Sequence, residues 1–306
     1  MTERGRSVLL VAHTERSPIC EEATRAAAQL VAAGLEVRML PNEAEHVEVD
    51  GVIAVAAEHV AEGAEVALIL GGDGTFLRAA ELARPSGVAM LGVNLGHVGF
   101  LADADPKALD ATVETIVRRA YEVEERATVD ATVIVDGAVQ ARAWALNEVS
   151  LERTNRERML EIAVAIDSRP LLRFGCDGIL CATPTGSTAY AFSAGGQILW
   201  PDVDALLLVP NAAHALFARP VVVAPTSVVD IDLLSVGHEA VLGCDGRRLV
   251  PIPPASRVRV TGGGKPVRIA RVAGWSFAER LVTKFQLPVR SLREASPPAG
   301  SDLPEL

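Results

Sequence analysis

Unbroken apolar runs at residues 8–12, 66–70 and 88–93 constrain the fold more than any other feature of this 306-residue chain. A run with no polar face fits a strand buried on both sides, as in a parallel sheet. Helical spacing fills the intervals. Residues 21–33 put Ala23, Ala26, Ala27, Leu30 and Val31 on one face, with Gly34 at the C-terminal cap position and a second strand at 35–39. Another helix is predicted over 75–83. Strand, helix, strand in this order predicts right-handed βαβ units and a doubly wound sheet.

The period changes near residue 125. Strand-like runs follow at 128–135, 138–151, 159–166, 221–224, 228–233, 240–243, 257–260 and 267–272, with Asp136-Gly137 as a hairpin turn. Short strands separated by turns predict a sheet sandwich. The expected fold is therefore α/β plus all-β. A Rossmann-like doubly wound domain covers residues 1–125 and a β-sandwich covers 126–276. A helix within 277–290 returns to the first domain. Residues 291–306 are expected to be a disordered tail, with Pro, Ser, Gly and acidic residues from Glu294 onward.

Composition narrows the function. Hydrophobic residues make up 49% of the chain, enough for a large core. A net charge of −10 and an aromatic content of 4% disfavour nucleic-acid and anionic-membrane surfaces. The four cysteines include no C-x-x-C pair, and the six histidines form no metal-spaced cluster. They read as reduced thiols of a cytoplasmic protein. The apolar run near the N-terminus is too short for a signal-peptide core or a membrane span.

Gly71-Gly72-Asp73-Gly74-Thr75 carries the first chemical signal. It follows the run at 66–70 and opens a helix, the place where open α/β folds bind ligands. Glycines let backbone N–H groups approach phosphate oxygens, and the helix N-terminus favours an anion. Asp73 would repel that phosphate unless it has another task. It could accept a proton from an attacking hydroxyl, hold a divalent metal through water, or cap its own helix. Neither a Walker-type phosphate loop nor a Rossmann glycine fingerprint is present: Gly262-Gly263-Gly264-Lys265 lacks the spacing, and Leu77 stands where the third glycine should fall. Asn147 and Glu148 place two polar residues inside the apolar strand-like run 145–151, and a bulge or strand end could aim both at a ligand.

The GGDGT segment resembles the signature of NAD kinases, diacylglycerol-type lipid kinases and phosphofructokinases. Further segments narrow this to the NAD kinases. Residues 94–101 are similar to that family's N-x-G-x-x-G-F-L stretch, and their glycines are expected to let the domains pack closely. The run Asp177-Gly178-Ile179-Leu180-Cys181-Ala182-Thr183-Pro184-Thr185-Gly186-Ser187-Thr188-Ala189-Tyr190 resembles the family's longest motif. Matches at 209–210, 214–220 and 244–246 extend the likeness across roughly residues 5–290.

The resemblance implies a kinase that transfers a phosphoryl group from ATP or polyphosphate to the 2′-hydroxyl of the adenosine ribose of NAD. It implies Asp73 as the catalytic base, with Gly74 beside it. Asn147 and Glu148 would grip the adenosine ribose. Thr188, Ala189, Tyr190, Ala191, Phe192 and Ser193 would line the adenine and ribose pockets. Asp177 would reach the nicotinamide end across a subunit interface, implying a homodimer or homotetramer. Arg78, Arg158 and Arg247 are further candidate contacts. Gly175 stands where some relatives carry an arginine. A divalent metal, Mg²⁺, would arrive with ATP; no dedicated metal site is expected.

Overall fold

The computed structural model describes residues 5–15, 17–95, 99–101, 109–155, 158–234, 240–272 and 276–289. In chain order the strands are β1 Ser7–Ala12, β2 Glu36–Met39, β3 Val52–Ala54, β4 Val66–Leu70, β5 Ala89–Val93, β6 Glu122–Arg126, β7 Val129–Val135, β8 Ala138–Ala145, β9 Glu148–Arg153 and β10 Leu160–Ile166. They continue with β11 Arg169–Cys176, β12 Gly178–Ala182, β13 Leu206–Asn211, β14 Val221–Val223, β15 Val229–Leu233, β16 Ala240–Cys244, β17 Arg248–Ile252, β18 Arg257–Gly262 and β19 Val267–Arg271. The α-helices are α1 Ser17–Ala32, α2 Pro41–Ala44, α3 Asp73–Ala83, α4 Leu109–Arg118, α5 Tyr190–Ser193 and α6 Phe277–Phe285. None of the described helices is long and apolar enough to cross a membrane.

The apolar runs form the centre of a seven-stranded sheet, ordered β3-β2-β1-β4-β5-β19-β6. Strands β1 to β5 run parallel, and every residue of β1, β4 and β5 is buried. Helix α1 ends where expected, with Gly34 at φ +81° donating to the Val31 carbonyl. The strand order reverses between β1 and β4, so the segment after β4 leaves the sheet at its topological switch point.

One expected strand belongs elsewhere. Residues 267–272 were assigned by sequence to the sandwich, but β19 pairs parallel with β5 and antiparallel with β6 in the first sheet. Both of its faces are needed there. Val267 and Ile269 join the cluster under α3, and Ala270 joins the cluster under α1 and α4.

The second half is a sandwich of two six-stranded sheets, ordered β11-β10-β15-β18-β7-β8 and β14-β13-β12-β9-β16-β17. Alternating residues of β7 and β10 meet Val149, Leu151, Ile179, Leu206, Leu208 and Leu242 of the opposing sheet. Strands β12 and β13 are buried on both faces. Ile179 and Leu208 point into the sandwich, while Leu180, Leu207 and Val209 pack outward against Ala191 of α5. The residues 138–151, read as one strand, break at Leu146-Asn147 into β8 and β9, which lie in different sheets. Leu146 leaves the sandwich core to pack with Phe76 and Leu77 of α3.

Candidate active site

Asp73 is the first residue of α3, and the N-cap is Gly72, which makes no side-chain cap bond. The half-buried carboxylate therefore does not cap its own helix. Its Oδ2 accepts the Phe100 N–H at 3.2 Å and its Oδ1 accepts the Leu101 N–H at 3.1 Å. Gly99 explains the glycine in that loop, because any Cβ there would strike the Asp73 carboxylate. This gives the second family-like segment a specific task beyond domain packing; its Gly96, His97 and Val98 lie outside the described residues. Each carboxylate oxygen has a second lone pair, so both can still accept a hydroxyl proton. Gly74 follows, exposed at the first turn of α3.

Asn147 and Glu148 sit at the break between β8 and β9, and both are buried. Of the bulge and the strand end that the sequence allows, the fold supplies a strand end. The Asp245 carboxylate holds the break by accepting the Leu146 N–H at 3.0 Å and the Asn147 N–H at 2.6 Å. Thr183 completes it, with its N–H on the Asn147 carbonyl at 2.8 Å and its hydroxyl on the Leu146 carbonyl at 2.6 Å. Gly186 packs so closely on the Asn147 backbone that a Cβ would overlap the carbonyl. Glu148 has one carboxylate oxygen, Oε2, buried without a hydrogen-bond partner. Burial, then the nearby Asp245 charge, pushes its carboxyl up to about 8, against a bond from the Tyr190 N–H.

The remaining residues of the long motif divide between ligand-facing and structural positions. Thr185–Thr188 forms a 3₁₀ turn ahead of α5. Ser187 is fully buried, donates to the Pro184 carbonyl at 2.6 Å and accepts the Leu199 N–H at 2.8 Å. Thr188 is half-buried, and Ala189 joins the turn to α5 with a backbone that is neither helical nor extended (φ −103°, ψ −129°). Tyr190 and Phe192 are exposed while Ala191 is buried. The Tyr190 hydroxyl accepts from Asn211 Nδ2 at 3.1 Å and donates to Glu152; burial and the Glu152 charge raise its pKa. Ser193 is exposed at the end of α5.

The candidate charges are distributed unequally. Asp177 accepts from Arg153 Nη2 at 3.0 Å. Arg78 pairs with the buried Glu43 and donates to the Ala12 carbonyl at 3.1 Å, which turns it toward β1. Burial raises the Glu43 carboxyl against that pairing. Arg247 donates to Glu81 at 3.2 Å, and Arg158 is exposed. Sequence reading passed over Asp245 and Arg248 as site residues. Arg248 donates to Asp245 at 2.9 Å and lies 3.4 Å from Glu81 of α3, connecting the Asn147-Glu148 break to the helix that begins at Asp73. The only sequence signal was Asp245-Gly246 itself, which the family-like stretch contains. A cleft of about 530 Å³ opens between the halves, lined by Phe100, Leu101, Thr185, Thr188, Arg271 and Arg280 among others.

The ATP-NAD kinase N-terminal domain model matches residues 8–121 and the C-terminal domain model matches residues 146–272. The chain belongs to the ATP-NAD kinase family. Members of this family include NAD kinase 2 of Streptomyces coelicolor, 50% identical over 95% of this chain and 98% of its own length. The NAD kinase of Thermobifida fusca is 51% identical over 94% and 92%, and that of Mycobacterium tuberculosis 49% over 94% and 98%. The fold is shared with yeast NADH kinase solved with NADH, at TM-score 0.84 and 21% identity over 94% of this chain and 90% of that one. It is shared too with the Archaeoglobus fulgidus NAD kinase solved with ATP, at TM-score 0.69 and 23% identity over 92% and 97%. The α/β plus β-sandwich architecture is the family's.

Proposed function

We propose that this enzyme transfers the terminal phosphoryl group of ATP to the 2′-hydroxyl of the adenosine ribose of NAD, giving NADP and ADP. The observation that carries this reading is the Asp73 carboxylate, free of its own helix cap, presented at the switch point of an NAD kinase family fold. The 2′-oxygen attacks the terminal phosphorus, its proton passes to Asp73, and the bond from that phosphorus to the β-γ bridging oxygen breaks. Phosphoryl transfer rests mainly on positioning and charge neutralisation, so a weak base suffices when it is held still. The Phe100 and Leu101 amides hold it.

Glu148 and Asn147 bind the adenosine ribose in this reading. A ribose hydroxyl gives the unpartnered Glu148 oxygen the hydrogen bond that burial denies it. Residues 188–193 line the adenine side, with Tyr190 and Phe192 offering exposed rings. ATP arrives as its magnesium complex; among the described residues no group of three or more His, Cys, Asp or Glu could hold a metal ion. Arg78 serves by fixing α3 to β1 rather than by touching phosphate in this state, since Glu43 already occupies it. Arg158 and Arg247 remain candidates for the pyrophosphate, and Asp177 for the nicotinamide of a neighbouring subunit in a homodimer or homotetramer. The enzyme works in the cytoplasm, in keeping with its free cysteines, three of them buried with raised thiol pKa values.

Incubating the protein with NAD, ATP and magnesium, then reading the product with a dehydrogenase specific for NADP, tests the function. NADP should accumulate with ATP and with no other phosphoryl acceptor present. Absence of NADP under ATP and under polyphosphate would overturn the reading.

A further inference from the structure

We infer that Arg280 is a positioning residue for Asp73, acting through one peptide group. Arg280 lies in α6, some two hundred residues from Asp73 in sequence, and its side chain is buried. Its Nη1 donates to the Phe100 carbonyl at 2.9 Å. That carbonyl belongs to the same planar peptide as the Leu101 N–H, which donates to Asp73 Oδ1 at 3.1 Å. Guanidinium, peptide and carboxylate thus form one chain of hydrogen bonds, and each bond in such a chain polarises the next. The inference rests on the assignment of Asp73 as base.

Neighbouring groups separate this role from simple packing. Arg271 also reaches the loop, donating to the Leu101 carbonyl at 3.3 Å. That carbonyl belongs to the following peptide, which gives Asp73 neither of its two bonds, and Arg271 is paired with Glu124 at 2.6 Å. Helix α6 is held from both halves. Phe277 and Phe285 each pack 5.9 Å from the Phe100 ring, Phe285 lies 4.7 Å from Phe192, and Phe277 lies 4.8 Å from Trp200. Its first turn carries a capping box between Ser276 and Glu279. The helix therefore delivers the guanidinium to a fixed point behind the Asp73 loop.

The test is a double-mutant cycle of Arg280→Met and Asp73→Asn, reading NADP turnover, KM for NAD, NAD binding by calorimetry and thermal melting. Arg280→Met alone should lower kcat roughly ten- to a hundredfold, less than loss of a direct transition-state donor, while NAD binding stays within about threefold. In the Asp73→Asn background the same change should cost less than about twofold, because two residues acting as one unit are not additive. Arg280→Lys, which keeps the charge and one donor, should recover part of the loss. Equal losses in both backgrounds would overturn the inference alone. Near-normal turnover of Asp73→Asn by itself would overturn the base assignment and the inference with it. Should Arg280→Met fail to melt cooperatively or to bind NAD, the cycle is read with Arg280→Lys, and additive losses there overturn the inference equally.

Discussion

Glu148 is a buried acid with one oxygen unbonded, and burial pushes its carboxyl up to about 8. In the unfolded chain it titrates near the ordinary glutamate value. Between those two values the folded protein binds a proton that the unfolded one has released, so stability falls as pH rises through that window. Glu43 and Asp245 are also raised by burial and add to the same trend. The Glu148 share is isolated by Glu148→Gln. The thermal midpoint of the ligand-free variant should fall less steeply between pH 5 and pH 8 than that of the parent, and parallel slopes would contradict the assignment. Asp73, by contrast, accepts a backbone amide on each oxygen.

Among the elements, the loop 99–101 has the narrowest tolerance. Gly99→Ala would drive a methyl group into the Asp73 carboxylate. Turnover should drop at least tenfold while the melting temperature moves by only a few degrees, the size expected for about 1 kcal/mol; unchanged turnover in a steady-state assay would show that the carboxylate does not need this loop. The first sheet was legible because its central strands are buried on both faces and therefore read as unbroken apolar runs. Edge strand β6 was not, since Glu122, Glu124, Glu125 and Arg126 conceal it among charges, and the ion pair from Glu124 to Arg271 only exists once β19 is alongside. Strand β19 itself read correctly as a strand but was placed in the wrong sheet. Its pairing with β5 and β6 is a tertiary choice that local pattern does not encode. Helix α4 buries Leu109, Thr112, Val113 and Ile116 at helical spacing.

At the scale of the molecule, the two halves meet through a few specific bridges. Leu146 of the sandwich packs among α3 residues, Arg84 and Arg248 lie 4.2 Å and 4.5 Å from the Trp144 ring centre on the two sides of the junction, and Asp245, Arg248 and Glu81 form one charged chain. Arg248→Met would leave the buried Asp245 with its amides but without its cation. It should cost about 2 kcal/mol in urea unfolding, below the full cost of orphaning a buried ion because Arg248 is partly solvated; a loss within error of zero would mean that the amides alone satisfy Asp245. Asp73, Asn147 and Glu148 stand out as candidates in the sequence because their own side chains carry the motif. The bonds made by Asp245 and Arg280 do not, because they go to backbone groups of residues about 100 and 180 positions away. The most direct measurement of the whole account compares Asp73→Asn with the parent for NAD affinity and NADP turnover. We expect NAD affinity to stay within about threefold and turnover to fall roughly 10²–10⁴-fold, and turnover near the parent value would contradict Asp73 as the base.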